Sequence, residues 1–224
     1  MYKTYVMHYK PATDRYYFMC NQLEENNIKN YEFVTELDKE ELTEDIVNKS
    51  YDKSKESQAK ASLVTMRGDG PLEYQELQDA SISLCLKYIS TFKKFLNQEH
   101  EYALFLEDDC VFKRSTTIES LIENAPEDLD VMFIGGAFDI NIVKILKMTK
   151  GYVLAEHPAT NTTSSMIFKK KAVEKIMDFV DPFCLPIDWQ LNHAFKEANL
   201  NVYHTIPYIC TQLSGIQFNS TIKR

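Results

Sequence analysis

Apolar and polar positions along the 224-residue chain change period several times, and each change marks an element. Tyr2 to Tyr9 is rich in Tyr, Val and Thr and stops at Lys10-Pro11, which predicts a strand feeding a loop. Tyr17, Phe18, Cys20, Leu23 and Ile28 then recur at roughly helical spacing. They predict a helix that starts near Thr13 or Asp14, both able to cap it, and ends around Asn26, Asn27 and Asn30. Tyr31 to Leu37 alternates with period two and predicts a second strand. From Asp38 to Pro71 the chain turns strongly polar, which predicts a short helix and a mobile loop, with residues 48–71 as a segment that could order over a bound ligand. Leu77, Ile82, Cys85, Tyr88, Ile89, Phe92, Phe95 and Leu96 make Glu76 to Gln98 the clearest helix, with one face buried.

Downstream, Tyr102 to Phe112 reads as an apolar strand that ends in carboxylates, and Asp130 to Gly136 as a strand that ends in paired glycines. Strands follow at Gly151 to Ala155, Ser164 to Phe168 and Asn201 to His204, with helices at Lys171 to Phe179 and Trp189 to Ala198. Strands alternating with helices in this way predict an α/β fold. The expectation is a Rossmann-like, mainly parallel sheet flanked by helices, in a single domain over residues 1–224.

Composition narrows the function classes. Hydrophobic residues at 44% and charged residues at 26% exclude a disordered or collagen-like chain. Acidic residues outnumber basic ones 33 to 25, a formal charge of −8, which argues against nucleic acid and anionic membranes as partners. A phosphate-bearing ligand would then need a bridging cation, because local carboxylates would repel it. The longest apolar stretches are strand-sized, and Met1 to Asn21 has no apolar signal-peptide core, so no transmembrane segment is expected. Five scattered cysteines without a Cys-x-x-Cys pair suggest neither a disulfide framework nor a thiolate zinc site, and fit a reducing cytoplasm. Without a secretory signal, the sequons at Asn48, Asn161 and Asn219 read as chance matches.

The sharpest chemical feature is Leu104-Phe-Leu-Glu-Asp-Asp109. Alternation along a strand puts Glu107 and Asp109 on one face and Asp108 on the other, until the chain turns. Ligands of open α/β sheets bind beyond the carboxyl ends of strands, and carboxylates crowded there call for a cation. Hard oxygen ligands suit Mn or Mg, whose remaining positions can take diphosphate oxygens. An acidic turn after a buried strand is the alternative reading.

This run resembles the acidic motif of the GT-A glycosyltransferases, in particular glycosyltransferase family 25, which contains lipooligosaccharide and procollagen galactosyltransferases. Tyr5-Val-Met-His-Tyr with Asp14-Arg15 and Met19 looks like the family's opening strand and arginine-bearing helix start. Glu32-Phe-Val34 is similar to its second strand, and Leu84 to Ser90 falls where its long helix precedes the acidic strand. Ser164 to Ala172 resembles its strand-turn-helix, Pro186-Ile-Asp-Trp189 its Pro-hydrophobic-Asp motif, and Pro207 to Gln212 with Ser214 and Phe218-Asn-Ser220 its closing segment. The similarity runs along nearly the whole chain. It departs at Ser81-Ile-Ser-Leu84 and Lys87-Tyr88, where the family carries an acidic-Ile-Gly-Cys sequence and Ser-His, and at Met7-His-Tyr9, which lacks the usual Asn-Leu-Asp character.

The resemblance implies transfer of a sugar, galactose or a related hexose, from a UDP-linked donor to a glycan or lipid-linked saccharide, as in lipopolysaccharide biosynthesis. Asp109, with Glu107 or Asp108 assisting directly or through water, would hold Mn or Mg and offset charge on the departing diphosphate. For inversion a general base must reach the acceptor hydroxyl, and Asp188 is the candidate. The helix predicted near Trp189 would keep it ionised, and a plain N-cap is the alternative. Trp189 could stack on a sugar or fill core. By the same resemblance Tyr5, His8, Arg15, Asp108, Gln212 and Ser220 belong to the donor site, where Arg15 would pair with a donor phosphate; a residue that merely caps and solvates its helix is the alternative for Arg15. Among His8, His157, His193 and His204, the last stands at a strand end before Pro207 and is the preferred further metal ligand. Gly135-Gly136 reads as a tight turn or a close approach of backbone to ligand.

Two other classes stay open. A nucleotidyltransferase would use a similar sheet and similar carboxylates, but no Gly-rich phosphate loop follows the first strand. A non-catalytic saccharide- or partner-binding domain would account for the departures at Ser81 and Tyr88.

Overall fold

The computed structural model describes residues 2–65, 75–113, 117–136, 144–160 and 162–213. The first strand β1 (Tyr2–Met7) leads into helix α1 (Thr13–Glu25), and β2 (Tyr31–Val34) follows. A 3-10 turn (Lys39–Glu41) and helices α2 (Glu44–Ser50) and α3 (Lys55–Thr65) fill most of the polar segment, which the sequence pattern reads as one short helix and a loop. The long helix α4 (Asp79–Leu96) precedes β3 (Tyr102–Glu107), β4 (Cys110–Phe112), α5 (Ile118–Glu123) and β5 (Val131–Phe133). The remaining elements are β6 (Ile145–Thr149), β7 (Tyr152–Ala155), β8 (Ser165–Lys169), α6 (Lys170–Val180), α7 (Ile187–Glu197), β9 (Val202–Thr205) and β10 (Cys210–Gln212).

Eight strands form one sheet in the order β2-β1-β3-β8-β5-β9-β7-β6, while β10 and β4 make a separate antiparallel pair. β1 runs parallel to β2 and β3, and β5 parallel to β9, whereas β8 and β7 are antiparallel to their neighbours. All strands of the large sheet except β8 and β7 therefore point the same way, and the sheet is mainly parallel with helices on both faces.

Period-two alternation decides which face each side chain joins. From β3, Ala103 and Phe105 enter one core layer with Tyr88, Phe92 and Phe195 of the helices. Leu104 and Leu106 enter the other with Met19, Leu23 and Leu121. Both faces of this strand are buried, which is why it reads as an unbroken apolar run. The run breaks earlier than its composition suggests: β3 ends at Glu107, Asp108 and Asp109 form a turn, and Cys110 starts β4 in the small sheet.

At α1 neither Thr13 nor Asp14 caps the helix; the N-cap is Ala12, without a side-chain hydrogen bond. The alternation through Leu37 ends as strand at Val34, and Leu37 takes a positive φ of 63°. Gly135 and Gly136 approach the chain's own segment rather than open space. A Cβ on Gly135 would lie 2.4 Å from Ser165 Oγ and 2.8 Å from Cys210 Cβ, and one on Gly136 would lie 2.9 Å from the Tyr208 ring. Trp189 packs against Ala61, Cys184 and Leu185. Among the described residues no helix is long and apolar enough to cross a membrane.

Candidate active site

A cleft of about 520 Å³ opens at the carboxyl ends of β1 and β3, where Met7 and Glu107 line it. Six carboxylates (Asp38, Glu76, Glu107, Asp108, Asp109 and Asp188) face it, against Arg15, Lys39 and Lys87. Strand ends, the turn after β3, the first turns of α4 and α7, and Thr162 to Thr163 supply the walls. The fold thus brings His8, Arg15, Glu107, Asp108, Asp109, Asp188 and Gln212 to one place. Tyr5 is elsewhere, fully buried in the core against Phe105. Ser220 lies outside the described residues, as do Ser214, Phe218 and the turn at 67–71.

The three acidic residues have different surroundings. Asp108 turns toward β1 and α1. Its Oδ2 accepts from His8 Nδ1 at 2.8 Å and from the Tyr9 N–H at 3.2 Å, and its Oδ1 from Arg15 Nη1 at 2.8 Å. Burial works to raise this carboxyl, but the bonds from His8 and Arg15 and the Arg15 charge hold it below its usual range. Asp108 thus fastens the β1–α1 turn while lining the cleft.

Glu107 turns the other way. Its Oε1 accepts from the Thr163 hydroxyl at 2.5 Å and its Oε2 from Gln212 Nε2 at 2.9 Å. Burial first, then the charge of Asp109, push its carboxyl up to about 8, with smaller contributions from Asp108 and Asp188. Negative charge is thus crowded at Glu107, and a cation would relieve it. Among the described residues, no three His, Cys, Asp or Glu side chains converge to hold a metal unaided.

His204 does not line the cleft. Its ring stacks on Phe133, and its Nε2 lies 2.7 Å from the Ala159 carbonyl, which can only accept, so Nε2 carries the hydrogen. Nδ1 lies 3.0 Å from the Tyr208 hydroxyl, and burial lowers the ring to about 4, keeping it neutral. Both nitrogens are spent within the protein, and the expected metal ligation is not supported by its placement. His157 contacts the Leu200 carbonyl, and His193 lines a separate cavity of about 220 Å³.

Solved structures with a similar chain course include Drosophila beta-1,4-galactosyltransferase 7 in complex with manganese, UDP-Gal and xylobiose (9% identity, TM-score 0.46, covering 100% of this chain and 76% of that one). Another is galactosyltransferase LgtC with donor and acceptor sugar analogs (10% identity, TM-score 0.45, 96% and 88% covered). A third is a glucose-1-phosphate thymidylyltransferase from Bacillus anthracis, described as putative (12%, 0.44, 95% and 90%). No protein-family model matches the chain, and no curated protein sequence matches it. At 9 to 12% identity these likenesses decide nothing about chemistry, which the cleft itself must supply.

Three features of the cleft were not foreseen. Lys87, visible in sequence only as a departure from the family pattern, is buried and donates to the His8 and Val34 carbonyls and to Asp38 Oδ1. Thr163 binds Glu107 from a run of buried hydroxyls, Thr162 to Ser165. That run, polar yet leading straight into an apolar strand, was the available signal. Asp188 occupies the second position of α7, behind the N-cap Pro186, and is not itself the cap.

Proposed function

We propose that this chain is a metal-assisted glycosyltransferase resembling family 25, which moves a hexose from a UDP-linked donor to a hydroxyl of a glycan or lipid-linked saccharide, with inversion. The observation that supports it is the gathering of Glu107, Asp109 and Asp188 in one cleft at the carboxyl ends of parallel strands. Glu107 and Asp109 are the residues that would hold Mn or Mg, and such a cation offsets charge on a leaving diphosphate. Asp188 takes the proton of the acceptor hydroxyl as its oxygen bonds to the anomeric carbon, while the bond to the diphosphate breaks and its electron pair leaves with UDP. His8 and Arg15, held by Asp108, shape the donor side of the cleft, and Gln212 orients Glu107. The same resemblance points to lipopolysaccharide or related glycan biosynthesis, and the scattered cysteines without a Cys-x-x-Cys pair fit the cytoplasm.

The test is sugar transfer itself: UDP-hexoses, Mn and a panel of saccharide acceptors, with UDP release and product mass followed together. Asp188→Asn is expected to bind UDP and Mn nearly as wild type does and to lose at least about 10²-fold in turnover. Full activity in Asp188→Asn overturns the base assignment. Saccharide binding that needs neither nucleotide nor metal would favour a binding domain on this fold.

A further inference from the structure

Asn192 lies one turn beyond Asp188 in α7, is 3% exposed and is not part of the cleft wall. Its amide is fully used on backbone. Oδ1 accepts from the N–H groups of Ala159 at 2.7 Å and Thr160 at 3.1 Å, and Nδ2 donates to the carbonyls of Thr160 at 2.6 Å and Asp188 at 3.1 Å. One small side chain thereby fastens the helical turn that carries Asp188 to the segment that precedes β8.

That segment continues the connection to the acidic strand. Thr160 Oγ1 donates to the Thr162 carbonyl and accepts from the Thr162 N–H. The Thr162 hydroxyl donates to Gln212 Oε1 at 3.2 Å, and Gln212 in turn donates to Glu107. Thr163 holds the other oxygen of Glu107, and its own carbonyl accepts from Tyr88. A chain of hydrogen bonds thus runs from the backbone of Asp188 to Oε2 of Glu107, with the next residue along the backbone, Thr163, on Oε1, and Asn192 is the link that joins α7 to it. Buried polar networks of this kind hold one geometry when every member is satisfied.

We propose that Asn192 is a positioning residue that sets where Asp188 stands relative to Glu107, and so aligns the acceptor hydroxyl with the donor. The proposal rests on the transferase reading above. The carboxamide is the requirement: aspartate keeps the size and the two accepted bonds but loses both donated ones.

The experiment compares wild type with Asn192→Asp and Thr160→Val, using melting curves to verify folding, calorimetry for UDP with Mn, and kcat and KM for transfer. Folded Asn192→Asp is expected to keep its UDP affinity within about threefold while kcat falls by about 10²-fold, the scale of a misplacement near 1 Å. Thr160→Val, at a residue outside the cleft wall, cuts the same chain at its link to Thr162 and stands in if Asn192→Asp does not fold, with kcat down about tenfold at unchanged UDP affinity. A kcat close to wild type in the folded variant overturns the proposal, as does a UDP affinity that falls in step with kcat. Wild type that binds UDP but transfers nothing to any acceptor defeats the transferase reading and this proposal together. Active wild type with indifferent variants defeats this proposal alone.

Discussion

Arg15 and Asp108 meet at 2.8 Å with side chains 7% and 8% exposed, joining the first helix to the turn after β3 across 93 residues of sequence. An ion pair this well buried contributes little when intact but is costly to break, because one charge is left without its partner. Asp108→Ala is accordingly expected to lose about 3–5 kcal/mol of stability in denaturant unfolding. A variant as stable as wild type would show that Arg15 and His8 do not depend on Asp108.

Lys87 and Asp38 form a second buried pair, 2.7 Å apart with both side chains 4% exposed. Asp38 also accepts from the Lys10 N–H, so the pair ties α4 to the loops that leave β1 and β2. Lys87→Met should cost about 3–5 kcal/mol alone, and Lys87→Met with Asp38→Asn distinctly less than the sum of the two single changes. Additive losses in this cycle would mean that the two charges do not interact.

Much of this architecture was legible from the chain, and the reasons differ by residue. Tyr88, Phe92 and Phe95 repeat at helical spacing, and Tyr102 to Leu106 is apolar on both faces, so α4 and β3 follow from burial alone. β6 carries no such signal: Ile145, Leu146 and Met148 are all exposed, and neither face alternates. Glu107, Asp109, Asp188 and Gln212 could be selected because a carboxylate at a strand end or a recurring motif marks them. Asn192 and Lys87 could not, since each acts through partners more than 30 residues away that only the folded chain brings near. Position at a strand end pointed to His204 as a ligand, but it does not tell which neighbours take up the ring nitrogens.

Glu107 gives the metal-free protein a distinctive pH dependence. Its carboxyl titrates near 4.5 unfolded and at about 8 in the fold, raised by burial and by Asp109. Between those values the native state holds a proton that the unfolded chain has released. Stability from this group is therefore complete at low pH and is lost as pH rises through the window, by at most about 1.4 kcal/mol per pH unit. Asp108, which is lowered, acts only at the acid end and in the opposite sense. Melting curves in chelator should show a shallower decline for Glu107→Gln than for wild type between pH 4.5 and about 8. Equal slopes would remove Glu107 as the source. If Glu107 holds Mn as proposed, binding would displace that proton, and Mn affinity should rise with pH over the same range.

The most direct measurement is the melting temperature with UDP and UDP-sugars, with and without Mn, for wild type and Asp109→Ala. A ligand at about 100 times its Kd stabilises the fold by about 2.7 kcal/mol, well within reach of a thermal shift. Wild type should be stabilised by a uridine nucleotide only when Mn is present, and Asp109→Ala by neither combination. No shift in folded wild type, or an equal shift without Mn, would contradict the metal-assisted transferase and leave Glu107 to Asp109 as an acidic turn.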